Sequence, residues 1–186
     1  MSLETALEIY VNGLKTYNQK TNIYSAKAYD KLDFHIQDSL NIAELIGNET
    51  VNVVDLGSGS GLPAVIIAIA NPKNRVYAIE SKSKKRQFLT WIKGELNLEN
   101  LIVFEGDIDL FNSKRGAIGH FYTAKAFAKI PKALETFKKI SPPYATFIVP
   151  INREQEYDVP KKEFGITLHR IKKADCTFYY LLKKKS

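Results

Sequence analysis

The chain has 186 residues, 45% of them apolar and 25% charged, which is enough for one main domain with a substantial core. Its formal charge of +7 favours an anionic partner such as nucleic acid, although many basic proteins bind nothing anionic. The acidic start lacks the pattern of a signal peptide, and the longest apolar stretch, Leu62–Ala70, is too short to span a bilayer. The single cysteine, Cys176, excludes an internal disulfide and a cysteine-based metal cluster. We therefore predict a cytoplasmic, monomeric protein without a metal, and we interpret Cys176 as a small buried apolar residue.

Two amphipathic helices are predicted at the start of the chain. Apolar residues recur at helical spacing from Leu3 to about Lys15, and a second helical pattern runs from about Asp30 to Leu45. Gly47 follows the second pattern, as glycine commonly follows a helix. We predict that residues 1–48 form a helical cap on a main domain of residues 49–186.

Strands and helices alternate beyond the cap. The predicted strands are 51–55, 75–80, 101–105, 119–124 and 145–150, and the predicted helices are about 61–70, 82–96 and 129–139. We expect a short irregular link after the third strand. Two more β-rich runs, 165–173 and 176–183, are separated by two residues, which is hairpin spacing. The sequence thus predicts an α/β fold whose mostly parallel seven-stranded sheet ends in an antiparallel hairpin.

A glycine-rich turn follows the first strand, where Asp55 precedes Gly57, Gly59 and Gly61. Such glycines allow positive φ and let a ligand approach the backbone N–H groups closely. The dinucleotide fingerprint Gly-x-Gly-x-x-Gly fails because Leu62 stands at its last position, and no Walker Lys-Ser or Lys-Thr follows. The pattern suits S-adenosylmethionine, with loop amides near its carboxylate and Asp55 near its ammonium.

The ends of the next two strands add ligand-binding candidates to the same edge of the sheet. Glu80 ends the second strand roughly 20 residues after Gly57, where dinucleotide folds hold the acid that binds ribose hydroxyls. The segment Gly106–Asp109 follows the third strand, where an adenine would lie. The alternatives are a solvated Glu80 and an aspartate pair that only begins a helical turn. Together with the glycine turn, these strand ends predict a Rossmann-like fold that binds S-adenosylmethionine.

Five segments of the chain form a recognisable series; they are Tyr17–Ile23, Phe34–Ser39, the glycine turn with Leu62-Pro63, Glu80–Leu89 and Thr123–Ala128. In this order they resemble the glucose-inhibited division protein B family of small-subunit ribosomal RNA guanine-N7 methyltransferases. The glycine turn alone identifies only a cofactor class, whereas its combination with Phe34–Ser39 is much more specific. The chain differs from the family pattern at Lys125, where the family has arginine, at Asp107, which replaces a basic residue, and at Pro150-Ile151, which replaces Lys-Gly.

The resemblance implies cofactor contacts from Gly57, Leu62, Ile108, Asp109 and the position of Lys125. With the turn and the strand ends, the expected cofactor residues are Asp55, Gly57, Ser58, Gly59, Gly61, Leu62, Glu80, Ser81, Asp107, Ile108, Asp109 and Lys125. It also implies that the substrate guanine is positioned by His35, Asp38, Ser39 and Lys125. Without the family, His35, Asp38 and Ser39 would be interpreted as a hydrogen-bonded set that locks the cap onto the core.

The chemistry that the family performs fits the absence of an evident base. Guanine N7 has a free lone pair and no proton to lose, so methyl transfer requires alignment more than a general base. We therefore predict no catalytic base, with 16S ribosomal RNA or the small ribosomal subunit as the partner. The rival hypotheses are a methyltransferase of a small molecule or protein, and a cofactor-binding or RNA-binding module that has lost catalysis.

Two other motifs allow a functional and a structural interpretation. Ser141–Tyr144 resembles the motif with which amino-methyltransferases hold an exocyclic amine, but it precedes a strand instead of following the fourth one. We interpret it as a turn. The basic residues that open the second main-domain helix form either a solvated face or a phosphate contact; they are Lys82, Lys84, Lys85 and Arg86.

Overall fold

A computed structural model describes residues 1–125, 128–152 and 166–184; Ala126, Phe127 and Gly165, which fall in the segments discussed above, lie outside them. The helices are α1 (Leu3–Thr21), α2 (Leu32–Ile46), α3 (Ala64–Ala70), α4 (Ser83–Glu95), α5 (Ile108–Arg115) and α6 (Ile130–Ile140), and a 3₁₀-helix (Ala26–Lys31) leads into α2. The strands are β1 (Asn52–Leu56), β2 (Arg75–Glu80), β3 (Leu101–Glu105), β4 (Phe121–Thr123), β5 (Thr146–Ile151), β6 (Ile166–Lys173) and β7 (Cys176–Lys184).

The seven strands form one sheet in the order β3-β2-β1-β4-β5-β7-β6. Strands β1 to β5 pair in parallel, and β7 pairs antiparallel with both β5 and β6. The predicted mostly parallel sheet with a terminal antiparallel hairpin is confirmed. Because parallel strands end at one edge, the residues that follow β1, β2, β3 and β4 lie along a common border.

Two apolar cores cover the two faces of the sheet. Neighbouring residues of β1 alternate between them, with Val53 in the core shared by α1 to α4 and Val54 in the core shared by α5 and α6. The cap contributes Tyr10, Leu14 and Ile42 to the first of these cores. The cap helices therefore share a core with the sheet, and the boundary at residue 48 stays a prediction.

Helix α1 is six residues longer than the predicted Leu3–Lys15 segment, since it ends at Thr21. The extra turns are held by packing, because the Tyr17 ring meets the Phe88 ring edge-on at 5.2 Å between centroids. The helix stops where Asn22 adopts a left-handed conformation, with φ of 49°, and its N–H bonds to the Asn18 carbonyl. The polar run after Lys15 is thus helical because of a tertiary contact.

Two expectations about individual segments are wrong. The link expected after β3 is the helix α5, because the Asp107 side chain caps its first turn and Phe111 is fully buried beside the ring of Phe104. Cys176 is exposed and not a buried apolar residue, since it begins β7 directly after the hairpin turn.

Within the described ranges, no helix is long and apolar enough to cross a membrane, and no group of three or more ligating side chains could hold a metal ion.

We expect Tyr10→Phe to weaken the attachment of α1 to the glycine turn. The Tyr10 hydroxyl is fully buried and donates to the Ser60 carbonyl over 2.9 Å, so the change leaves that carbonyl without its donor. The free energy of unfolding should fall by about 1–2 kcal/mol in urea titrations. The matched change Tyr144→Phe, at a side chain that is 62% exposed, should cost less than about 0.5 kcal/mol. Equal losses in the two variants would contradict this role of Tyr10.

Candidate functional site

Two glycines of the glycine turn differ in the space around them. Gly57, Gly59 and Gly61 all have positive φ, at 70°, 57° and 92°. A Cβ on Gly59 would be in ordinary contact with the Gly57 carbonyl oxygen and the Lys85 amine, both at 3.7 Å, and Gly59 lines the first cavity described below. A Cβ on Gly61 would lie 2.4 Å from a methyl group of Val65. Gly61 therefore allows α3 to pack tightly, and Gly59 leaves room for a ligand.

Two cavities lie along the turn and meet at Gly57 and Lys85. The first, of about 290 Å³, is lined by Ile23, Tyr24, Ser25, Ala28, His35, Gly57, Ser58, Gly59, Ser60, Leu62, Lys85 and Lys125. The second, of about 330 Å³, is lined by Leu56, Gly57, Ile79, Glu80, Ser81, Lys82, Lys85, Gly106, Asp107 and Ile108. The structure thus joins the ends of β1, β2 and β3 into one elongated site, with the cap covering one end.

Glu80 is buried at the centre of this site and is not a solvated strand end. One carboxylate oxygen accepts from the Gly59 N–H at 2.9 Å, and the other accepts from the Lys82 N–H at 2.8 Å. The side chain therefore ties the glycine turn to the start of α4. Each carboxylate oxygen retains a further lone pair for a ligand donor.

The residues after β3 divide between the cavity and the outer surface. Asp107 caps α5 by accepting from the Leu110 N–H at 2.9 Å, and it lines the second cavity together with Ile108. The Asp109 carboxylate instead pairs with Lys139 at 2.8 Å on the exposed surface and lines neither cavity. The interpretation that the aspartate pair begins a helical turn is confirmed. Asp107 both caps this turn and lines the second cavity.

Asp55 is buried beneath the turn with one carboxylate oxygen unsatisfied. Its Oδ1 accepts from the Thr123 hydroxyl at 2.6 Å, whereas Oδ2 is buried with no partner among the described residues. Burial raises the pKa of this carboxyl to about 6, against the opposing hydrogen bond from Thr123. Asp55 does not itself line the first cavity. A buried, unpaired carboxylate oxygen is stabilised by a nearby cation, which is the chemistry that an ammonium group offers.

A third cavity, of about 510 Å³, opens between α2 and the antiparallel part of the sheet. Its lining consists of Phe34, His35, Asp38, Lys125, Pro150, Ile151, Asn152, Thr177, Phe178 and Tyr179. It shares His35 and Lys125 with the cavity at the glycine turn. These two residues therefore stand on the boundary between the two spaces.

A buried hydrogen-bond network fixes this boundary. The Lys125 ammonium lies 2.6 Å from Asp38 Oδ2 and donates to the His35 carbonyl at 3.2 Å. The other Asp38 oxygen accepts from the Tyr180 hydroxyl at 2.8 Å, and the Asn41 amide donates to that hydroxyl at 3.1 Å. Burial lowers the pKa of Lys125, while the Asp38 charge opposes this. The network locks the cap onto the sheet and also lines the third cavity, so the two interpretations of this segment are compatible.

His35 and Ser39 differ in their access to the site. Burial, followed by the charge of Lys125, lowers the pKa of the His35 imidazole, and its Nδ1 is buried without a partner in the part of the chain described. The Ser39 side chain is fully buried and donates within its helix to the His35 carbonyl at 2.8 Å. Ser39 lines none of these three cavities. It supports the helix that presents His35.

The residues of the third cavity and its network that sequence reasoning missed include Phe34, Asn41, Phe178 and Tyr180. Phe34 belongs to the segment that carries the family resemblance, but the pattern itself gives no sign that its ring is exposed. Tyr180 lies 142 positions after Asp38, and only the antiparallel pairing of β7 with β5 brings it near the cap. An alternating strand pattern predicts burial of Tyr180 without naming its partner.

The comparisons with known proteins agree with this arrangement. The family model described as rRNA small subunit methyltransferase G matches residues 3–181. This chain belongs to that family. A relative named ribosomal RNA small subunit methyltransferase G 3, from Bdellovibrio bacteriovorus, is 30% identical over 181 residues, which is 95% of this chain and 76% of that protein.

Relatives that align over a shorter length give the same family name. Ribosomal RNA small subunit methyltransferase G of Pseudomonas putida (strain GB-1) is 36% identical over 103 residues, 55% of this chain and 48% of that protein. The chain thus spans about half the length of this and several other curated relatives. A solved structure of a SAM dependent methyltransferase from Aquifex aeolicus, 17% identical, covers 88% of this chain and 100% of its own with a TM-score of 0.62. This likeness confirms the Rossmann-like methyltransferase fold.

Two motifs remain, the Ser141–Tyr144 segment and the basic residues at the start of α4. Ser141–Tyr144 lies before β5, at the edge opposite the cavities, where the Ala145 N–H bonds to the Pro142 carbonyl at 3.1 Å. The turn interpretation is confirmed. Arg86 pairs with Glu105 at 2.5 Å and donates to the Ser81 carbonyl, and it lines neither cavity at the glycine turn, whereas Lys85 lines both.

We expect Gly61→Ala to destabilise the protein through two separate penalties. A Cβ at a φ of 92° is strained, and it would lie 2.4 Å from Val65, so the free energy of unfolding should fall by about 2–5 kcal/mol. Gly94→Ala is the matched control, because α4 offers open space there and the same methyl group should stabilise by up to about 1 kcal/mol. Denaturant titration of both variants measures the difference. A tolerated Gly61→Ala would refute the packing role.

Proposed function

We propose that this protein transfers a methyl group from S-adenosylmethionine to N7 of a guanine in 16S ribosomal RNA. The observation that carries the proposal is the pair of adjoining cavities that share His35 and Lys125. One cavity follows the glycine turn and suits the cofactor. The other opens to the outside and suits an acceptor base, so a methyl group would cross at the shared residues.

The residues present fit S-adenosylmethionine in three parts. The cavity at Gly59, beside the Lys85 amine, suits the carboxylate, and the unsatisfied oxygen of Asp55 suits the charge of the ammonium. Glu80 would accept from the ribose hydroxyls, and the adenine would lie by Ser81, Asp107 and Ile108. When bound, the cofactor supplies an electrophilic methyl group on a sulfonium. Gly61 and Asp109 act from outside the cavity, through packing and through the Lys139 ion pair.

Lys125 would orient the base without taking a proton. Described acceptors on Asp38 and His35 occupy two of its three N–H donors, and a third remains for a ligand. Guanine presents O6 next to N7, whereas adenine presents an amino group there, so a cation at the boundary favours guanine. Asp38 balances the charge of Lys125 and keeps it in place. His35 with a lowered pKa adds a neutral imidazole to the same boundary.

The surroundings of the site support a nucleic-acid partner. The formal charge of +7 favours a polyanion, and the exposed Lys82 and Lys84 stand at the start of α4 beside the cofactor cavity. We propose 16S ribosomal RNA or the small ribosomal subunit as the partner of a cytoplasmic, monomeric enzyme. The chain departs from the family pattern at Lys125, Asp107 and Pro150. Two of these departures are compatible with this partner, because Lys125 keeps the positive charge of arginine and Pro150 lines the acceptor cavity.

Transfer of a radiolabelled methyl group to ribosomal RNA, small subunits, protein and small molecules, followed by mapping of the modified base, tests the proposal. We expect label at N7 of one guanine of the small-subunit RNA. Lys125→Met should lower kcat/KM about 10-fold to 100-fold, because it removes a charged donor, while Lys125→Arg should retain most of it.

Label in protein or in a small molecule, with none in RNA, would establish the rival substrate class. S-adenosylmethionine binding without transfer to any acceptor would establish the binding module that has lost catalysis. Calorimetry that detects no binding of S-adenosylmethionine would refute both enzyme hypotheses.

We expect the affinity for S-adenosylmethionine to rise between pH 5 and pH 7. Burial raises the pKa of Asp55 to about 6, so the carboxyl is mostly neutral at pH 5 and mostly ionised at pH 7. The ionised form favours a cationic ligand, and the gain should be about 5-fold to 10-fold by calorimetry. Asp55→Asn should remove this gain in affinity. The variant therefore distinguishes the titration of Asp55 from that of His35. An unchanged pH dependence in Asp55→Asn would refute the assignment.

A further inference from the structure

An exposed aromatic ring stands at the mouth of the third cavity. Phe34 is 41% exposed although it is a large apolar side chain on a helix that packs against the core. Its ring stacks on that of Phe178, with centroids 4.8 Å apart and an angle of 18° between the planes. Phe178 is only 3% exposed. One face of Phe34 is thus covered by a rigid support, and the exposure falls on the rest of the ring.

The ring is also fixed with respect to the polar boundary of the cavity. Phe34 immediately precedes His35, and the two rings lie edge to face with centroids 5.8 Å apart. The helix that carries both is held to the sheet through Asp38, Lys125 and Tyr180. The cavity therefore combines a flat apolar wall with the hydrogen-bonding groups of Lys125 and Asp38.

We infer that Phe34, supported by Phe178, is the platform on which an unpaired or extruded guanine base stacks. This inference rests on the proposed function and assigns the base-binding part of its acceptor cavity. Bases that enter protein pockets are commonly stacked on aromatic side chains and identified by hydrogen bonds at their edges. Here the ring would bind the face of the base, and Lys125 would bind its O6 edge.

The charge that methylation creates strengthens the argument. In the transfer, the bond between sulfur and the methyl carbon breaks, and a bond between that carbon and N7 forms with the N7 lone pair. The positive charge passes from the sulfonium to the purine, and no proton or further reactant is required. A cationic purine is attracted to the face of an aromatic ring, so the platform would stabilise the charge as it develops.

The position of the platform favours a base over a peptide side chain. Among the described residues, this cavity and the glycine-turn cavity share His35 and Lys125, so a group that rests on the flat ring of Phe34 must extend its reacting atom to that boundary in the plane of the ring. A purine carries its nucleophilic N7 on such a plane. The formal charge of +7 complements the phosphates that accompany the base.

The test measures single-turnover methyl transfer to small ribosomal subunits or their RNA, together with S-adenosylmethionine affinity by calorimetry and the Tm. Phe34→Leu removes the aromatic face but keeps an apolar side chain of similar reach. Phe34→Trp keeps and enlarges the face. Tyr144→Leu is the matched control, because it removes an exposed aromatic ring at the opposite edge of the sheet.

We expect Phe34→Leu to lower the rate constant at subsaturating RNA by about 10-fold to 100-fold, with the affinity for S-adenosylmethionine unchanged. Phe34→Trp and Tyr144→Leu should stay within about 3-fold of the unaltered protein. Transfer by Phe34→Leu at the unaltered rate would overturn the inference and leave the proposed function standing. Absence of transfer to RNA by the unaltered protein would overturn both. If Phe34→Leu fails to fold, Phe34→Trp provides the test. A rate constant of methyl transfer that is lower by about 10-fold or more in Phe34→Trp, at an unchanged Tm, would overturn the inference.

Discussion

The site depends on the buried ion pair between Lys125 and Asp38. Lys125 follows β4 and Asp38 lies on α2, so this 2.6 Å contact joins the sheet to the cap at the boundary between two cavities. A buried charge left without its partner is costly, and each member of the pair therefore requires the other. Tyr180 adds a third element, because its hydroxyl binds the Asp38 oxygen that Lys125 does not use. The cap, the end of β4 and the hairpin are thereby held at fixed positions around one point.

The sequence predicts the parallel part of the fold well, because buried strands and glycine turns are local signals. The bounds of β2 and β3 agree with the predicted 75–80 and 101–105, and the terminal hairpin is where its spacing indicates. The predicted link became α5, because its main support is the burial of Phe111 against rings from neighbouring elements. Local patterns carry no information about such contacts, and the extension of α1 past Lys15 has the same cause.

The residues of the candidate site that lie at strand ends were predictable from the sequence. The contacts that the cap makes with distant strands were less predictable. Glu80, Ser81, Asp107 and Ile108 line one cavity because parallel strands end at a common edge. Asp109 was assigned with them by resemblance, but the α5 helix turns its side chain to Lys139. Phe34 and Phe178 are brought together only by the packing of α2 on β7. Contacts between elements distant in sequence require the folded chain.

Glu80 illustrates how the site reduces the cost of binding in conformational entropy. Its carboxylate already holds the amides of Gly59 and Lys82 before any ligand enters, so the turn and the start of α4 are ordered together. Glycines have the most backbone freedom to lose, and ordering them at the moment of binding would reduce the affinity. In this protein that loss is incurred during folding, where the core of α3 and α4 offsets it. A ligand that contacts the turn therefore retains more of the free energy of its own hydrogen bonds.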